Sequence, residues 1–187
     1  MAEAAVHEAV PGDVARIARI QRDTWRLAYA ELLPAEVFDG WDDGAAEESW
    51  AHALHTGAIR LFVATEGAHT VGFCAAGPAP ADELTGPDGA LPPDADAVAF
   101  IGTVLVEPRW GRRGHGGRLL ATAATALREA GAERGVAWVP EPDRVSRAFY
   151  ARAGWQPDGV ARTLDAAGQP LREIRLSGTL LLRLENR

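Results

Sequence analysis

With 187 residues, 47% of them hydrophobic, the chain has enough apolar mass for one folded domain, and disorder of the whole is excluded. Its 19 basic residues are all arginine and face 26 acids, a formal net charge of -7 that argues against nucleic acid or an anionic membrane as partner. The lone Cys74 excludes an internal disulfide and a cysteine zinc cage, and the absence of a basic apolar leader or an uncharged membrane-length run leads us to expect a cytoplasmic protein.

In chain order, the apolar-rich residues 2–10 predict a strand. Pro11, Gly12 and Asp13 then open a helix that carries Val14, Ile17, Ala18, Ile20, Gln21, Trp25 and Ala28 at near-helical spacing. A second helical region, 34–56, is interrupted at Gly40 and Gly44 and predicts a pair of short helices. The β-rich runs 59–64 and 69–75, separated by Glu66-Gly67-Ala68, predict a hairpin. Five prolines and three glycines in residues 77–96 predict a long loop. The almost uncharged run 98–106 predicts a central strand buried on both faces, closed by Glu107-Pro108. After a glycine-rich turn, Leu119, Leu120, Ala123, Ala124 and Leu127 make one apolar stripe on a helix. A strand at 135–139, a helix at 143–153 and a strand pair near 155–164 and 171–184 complete the order. Together they predict an α/β (α+β) fold, a mixed and mostly antiparallel sheet flanked by helices, in a single domain over 1–187 without internal repeats.

The turn at 106–117 carries the chemistry. It joins a strand to a helix, and the first turn of a helix offers unpaired N–H groups that glycines allow an anion to approach. Arg109, Arg112, Arg113 and Arg118 concentrate positive charge there in an acidic protein. A Walker loop needs lysine after its last glycine and the chain has none; a dinucleotide fingerprint from Gly114 and Gly116 needs glycine where Leu119 stands. A phosphate-bearing ligand of another kind is left.

Val106 and Pro108 followed by Gly114-His115-Gly116 resemble the main motif of the GNAT family of N-acetyltransferases, with Gly111 where that motif carries Gln or Arg. Independently, Asp143 to Trp155 resembles the family's second segment, with Ser146, Tyr150 and Gly154 in place and Asp143 where Asn is usual. The resemblance implies acetyl-CoA as co-substrate and no metal. It implies that the main chain of Val104, Leu105 and Val106 and the turn residues Arg112, Arg113, Gly114, His115, Gly116 and Gly117 hold the cofactor, together with Asp143, Ser146 and Tyr150. It also implies Tyr150 as general acid to the leaving thiolate and the N–H of Leu105 or Val106 as oxyanion donor. The family's strand glutamate falls on Phe100, so Asp96 and His115 stand as candidates for the base, beside a water chain.

For the acceptor, seven acids between Glu31 and Glu48 and five between Asp82 and Asp96, both stretches free of arginine, would attract a cationic amine. Trp25, Tyr29, Trp41 and Trp50 accompany them as a candidate cation–π wall. His52 and His55 share a helical face but lack a third ligand motif. The expected partner is a small-molecule amine, with a homodimer as the expected assembly. A peptide or protein N-terminus, or a CoA-binding module without turnover, are the alternatives.

Overall fold

The computed structural model describes residues 3–182; positions 2, 183 and 184, within the predicted first and last strands, lie outside the described residues. The elements run β1 Ala4–Glu8, α1 Val14–Ala28, α2 Ala35–Asp39, α3 Asp43–Thr56, β2 Arg60–Glu66, β3 His69–Pro78, α4 Ala81–Leu84, β4 Val98–Val106, α5 His115–Glu129, β5 Arg134–Pro140, α6 Arg144–Arg152, β6 Gln156–Ala166 and β7 Gln169–Thr179. The strands form one sheet ordered β1-β2-β3-β4-β5-β7-β6, antiparallel throughout except for β4 and β5.

Local chemistry explains the boundaries. The turn before α1 is tied by Asp13, whose carboxylate accepts from the Val10 N–H at 3.0 Å and lies 3.3 Å from His7 Nε2. Asp42 caps α3 by accepting from the Ala45 N–H at 3.1 Å, and the helix ends on Gly57 at φ +63°. The predicted break therefore falls at Gly40 alone. Gly44 lies inside the first turn of α3, where the cap has already set the helix direction. The 77–96 segment is not wholly loop, since it includes α4.

Two layers of helix sandwich the sheet. On one face the predicted stripe of α5 buries Leu119, Leu120, Ala123, Ala124 and Leu127 against Ala99, Ile101 and Ala137, and α6 adds Tyr150. On the other, Ile17 and Ile20 of α1 meet Phe73, Ala75 and Leu105. Trp155, 1% exposed, anchors the end of α6: its indole N–H donates to the Thr179 carbonyl at 3.2 Å, and its ring fills the space where a Cβ on Gly135 or Gly178 would stand. Burying a side chain of that size contributes roughly 4–6 kcal/mol. It also fixes the height of Tyr150, whose ring lies 5.3 Å from that of Trp155.

β4 departs from the expected double burial. Its first half is covered on both faces, but Gly102 is exposed and Thr103, Val104 and Val106 are half-buried. The register shows the cause. Ala75 pairs with Thr103 while Ala76 pairs with Ile101, so Gly102 is an extra residue, a β-bulge. β4 pairs with β5 only over Val98, Ala99 and Phe100. Beyond the bulge the two strands part.

Candidate active site

The gap between β4 and β5 is the center of the site, and its donors follow from strand geometry. The Glu107 N–H donates to the Val71 carbonyl at 2.9 Å. Residues two apart on a strand point the same way, so the Leu105 N–H also faces β3, while those of Val104 and Val106 face the gap. Of the two predicted oxyanion donors, only Val106 has its N–H on the open side.

At the end of the gap, Pro108–Trp110 form a single 3-10 turn and α5 begins at His115 with Gly114 as N-cap, φ +83°. No side chain caps this helix; the Arg118 N–H bonds to the Gly114 carbonyl, which leaves the His115, Gly116 and Gly117 N–H groups as the helix's unpaired donors. A fifteen-residue helix ending in uncapped N–H groups suits an anionic group such as a pyrophosphate.

The arginines of the turn divide. Arg109 pairs with Glu107 at 2.6 Å, and Glu107 also meets Arg19 of α1 at 3.4 Å. Arg113 pairs with Glu66 at 2.9 Å and lies 4.9 Å over the Trp110 ring. Arg118 donates back to the Arg113 carbonyl. Arg112, exposed and at φ +60°, has no ion-pair partner among the described residues. Gly111 has φ -60°, and a Cβ there would meet the Pro108 carbonyl at 3.0 Å.

The ring of His115 is turned away from the gap. The imidazole is 2% exposed, with Nε2 2.8 Å from Glu66 at the end of β2, two strands from β4 and on the side away from β5. That bond and the neighbouring Arg113 hold the Glu66 carboxyl below its ordinary range. Asp96 also stands apart. It precedes β4, and the eight residue-to-residue steps from Val98 to Val106, at about 3.3 Å each, set the two ends about 26 Å apart. Neither His115 nor Asp96 brings a side chain to the gap. Phe100 packs with Leu84, Val98 and Val136.

Tyr150 enters from the α6 face. It is 5% exposed, burial pushes its phenol well above the ordinary range, and among the described residues its hydroxyl has no hydrogen-bond partner. Cys74, which pairs with Val104 across the strands, is its neighbour, and burial pushes that thiol up to about 12. Asp143 is the N-cap of α6: Oδ1 accepts from the Val145 and Ser146 N–H groups, both at 3.0 Å, and Oδ2 from the Ser146 hydroxyl at 2.6 Å. The carboxylate at the place of the usual Asn is thus a helix cap with no N–H of its own to offer.

From the other face, Tyr29 at the end of α1 lies close to Asp143 and Ser146 at the start of α6. Burial, with the Asp143 and Glu173 carboxylates, pushes its phenol up to about 12. Trp25 meets Tyr29 and Trp41 edge to face, both at 6.0 Å. Trp50 does not join them; it packs on Phe73 and donates to Gln21. The acids are dispersed: Asp43 pairs with Arg22 and Asp94 with Arg134, which holds the Asp94 carboxyl low. Of the second acidic stretch, Glu83 stands at this face, bonded at 2.7 Å to Arg162. Arg162 also donates to Glu173 at 2.8 Å and lies 4.3 Å over Trp138. Composition gave no signal for this β5-β6-β7 wall, because its members are distant in sequence. Gly102 had a readable signal, a glycine inside an apolar run. Among the described residues no cluster of three His, Cys, Asp or Glu could hold a metal, and no helix is long and apolar enough to cross a membrane.

A strand opened by a bulge and leading into an uncapped helix fits the acetyltransferase fold that the sequence resemblance implies, and comparison with known proteins places the chain in that family. Residues 15–155 match the model of the acetyltransferase (GNAT) family. The chain belongs to that family and is an N-acetyltransferase. It is 31% identical over 173 residues to YuaI, an uncharacterized N-acetyltransferase of Bacillus subtilis, covering 91% of this chain and 90% of that one. Its fold is similar to that of PaiA N-acetyltransferase from Thermoplasma acidophilum in complex with coenzyme A, with TM-score 0.70, 14% identity and coverage of 95% and 99%. YncA of Salmonella typhimurium, solved with its cofactor acetyl-CoA, is similar with TM-score 0.67, 17% identity and coverage of 95% and 94%.

Proposed function

We propose that the protein transfers the acetyl group of acetyl-CoA to a primary amine of a small molecule, within one acetyltransferase domain. The observation that carries this reading is the gap itself: β4 leaves β5 after Phe100, exposes the Val104 and Val106 N–H groups, and runs into an α5 whose first N–H groups have no cap. The donor supplies an activated thioester. Its pyrophosphate would lie on the His115, Gly116 and Gly117 N–H groups with Arg112 as the accessible cation, and its pantetheine arm along Val104 and Val106.

In this reading the Val106 N–H donates to the thioester carbonyl as negative charge develops on its oxygen, a dipole fixed before the reaction by the strand register. The Tyr150 hydroxyl donates to the departing sulfur. An alkyl amine with a pKa near 10.4 is only about one part in a thousand neutral at pH 7, so the acceptor must shed a proton before attack. Trp25, Tyr29 and Trp41 form an aromatic cluster at the end of α1, and Tyr29 lies close to Asp143 at the start of α6. An acceptor that enters between this cluster and α6 would be a small molecule rather than a protein N-terminus.

The test is release of CoA thiol from acetyl-CoA over a panel of small amines and short peptides. Turnover of small amines at least tenfold above peptides is expected; the reverse order would assign a peptide N-terminus, and no release with any amine would leave a CoA-binding module.

A further inference from the structure

Four buried side-chain atoms among the described residues lack a hydrogen-bond partner: Thr24 Oγ1, Trp110 Nε1, His115 Nδ1 and Trp138 Nε1. Two of these belong to one packed cluster behind the glycine turn, where the Trp110 and His115 rings lie 6.5 Å apart, and the other two do not.

Thr24 lies on the sheet-facing side of α1, in line with Ile17 and Ile20, and is 7% exposed. The helix places it. Arg19 meets Glu107 at the end of β4, and Tyr29 lies close to Asp143 beyond the end of β5, which sets Thr24, halfway between them on α1, toward the gap. Trp138 is two residues past Val136, the last β5 residue paired with β4, and on the same face. That face carries Val136, packed with Phe100, and is the face α1 covers. The hydroxyl and the indole N–H thus approach the gap from α1 and from β5.

The chemistry of these two atoms restricts the ligand. An indole nitrogen only donates, so an ammonium group, which also only donates, cannot satisfy it; an oxygen acceptor can. The charge nearby decides what kind of oxygen. Arg162 and Arg175 flank the Trp138 ring at 4.3 and 5.7 Å, but Arg162 is held by Glu83 and Glu173, and Arg175 by Asp158 at 2.7 Å and the Leu84 carbonyl at 2.8 Å. Two guanidiniums against three carboxylates leave the wall slightly negative, which disfavors a second anion.

Resting on the acetyl-transfer reading, we infer that Thr24 and Trp138 form an acceptor subsite that recognizes an uncharged oxygen, a carbonyl or hydroxyl, near the reacting amine. The preferred acceptors are then amino amides, amino alcohols or aminosugars, and unadorned alkyl amines are poor.

The experiment compares L-alaninamide, L-alaninol, L-alanine and isopropylamine as acceptors, with kcat/KM referred to the neutral amine. Alaninamide or alaninol should exceed isopropylamine about tenfold or more in the wild type, and alanine should fall below alaninamide. In Trp138→Phe and Thr24→Val the advantage over isopropylamine should shrink severalfold. A merely structural role would lower all acceptors alike and keep the ratio, which would overturn the inference, as would alanine being the best of the four. A second readout needs no turnover: in the 1H–15N spectrum of the wild-type protein, the Trp138 indole N–H should move downfield on titration with alaninamide and not with isopropylamine. No such shift overturns the subsite, whereas a shift without thiol release from any amine overturns acetyl transfer instead.

Discussion

Replacing Tyr150 by Phe removes one hydroxyl from the center of the proposed reaction, and the structure bounds the consequences. A phenol ordinarily titrates near 10 and a thiol near 8.5, and burial pushes the Tyr150 phenol higher still. The proton therefore does not pass to the thiolate outright; it is shared as the carbon–sulfur bond breaks. That places the loss at the lower end of the range for a general acid, about 100-fold in kcat or about 2.7 kcal/mol of barrier. Stability should not follow. Among the described residues the hydroxyl has no partner to lose, and the ring keeps its contacts with Trp155 at 5.3 Å and Phe149 at 5.1 Å. The change in Tm should stay within about 2 °C, and acetyl-CoA affinity within about threefold. Thiol-release kinetics, a thermal melt and a binding titration read the three quantities. A kcat within threefold of wild type would refute the assignment of Tyr150, and a loss of activity matched by a fall in Tm would show a packing role instead.

Further outcomes follow from the same geometry. Because the Tyr150 phenol is raised above its ordinary value of 10, the acid stays protonated through neutral and mildly alkaline pH, so kcat/KM should rise with pH as the amine deprotonates and show no Tyr150-dependent fall below about pH 10; a descending limb there that vanishes in Tyr150→Phe would contradict this. Arg112→Gly should raise the KM for acetyl-CoA about fivefold with kcat unchanged, while relief of the φ +60° backbone adds about 1 kcal/mol of stability in denaturant unfolding. An unchanged KM would remove Arg112 from the cofactor site. Gly178→Ala sets a Cβ 2.3 Å from the Trp155 ring and should cost about 1–3 kcal/mol in the same unfolding measurement; a neutral result would mean that Trp155 is free to move.

Much of the fold was legible in the chain. The apolar stripe of α5, the Pro11-Gly12-Asp13 start of α1, the hairpin of β2 and β3 and the succession of elements along the chain all follow from periodicity and turn residues, which are local properties. The glycine turn was legible for the same reason, since an uncapped helix start needs only neighbouring residues. The path of β4 was not. Its uncharged run predicted burial on both faces, and the bulge at Gly102 changed that by letting β5 diverge; whether a glycine in a strand bulges depends on the strand it pairs with.

Side-chain roles divide along the same line. The sequence alone determined the family motif, the position of the glycine turn at the start of a helix and the position of Tyr150 on the last helix, because each is fixed by residues within one turn or strand of it. Only the tertiary structure decided that Val106 faces the gap and Leu105 faces β3, and that the imidazole of His115 is turned to Glu66. It also decided that Asp96 stands at the far end of β4 and that the Thr24 hydroxyl and the Trp138 indole N–H are buried without a partner among the described residues. Direction along a strand is a matter of pairing, and pairing joins residues that periodicity cannot relate.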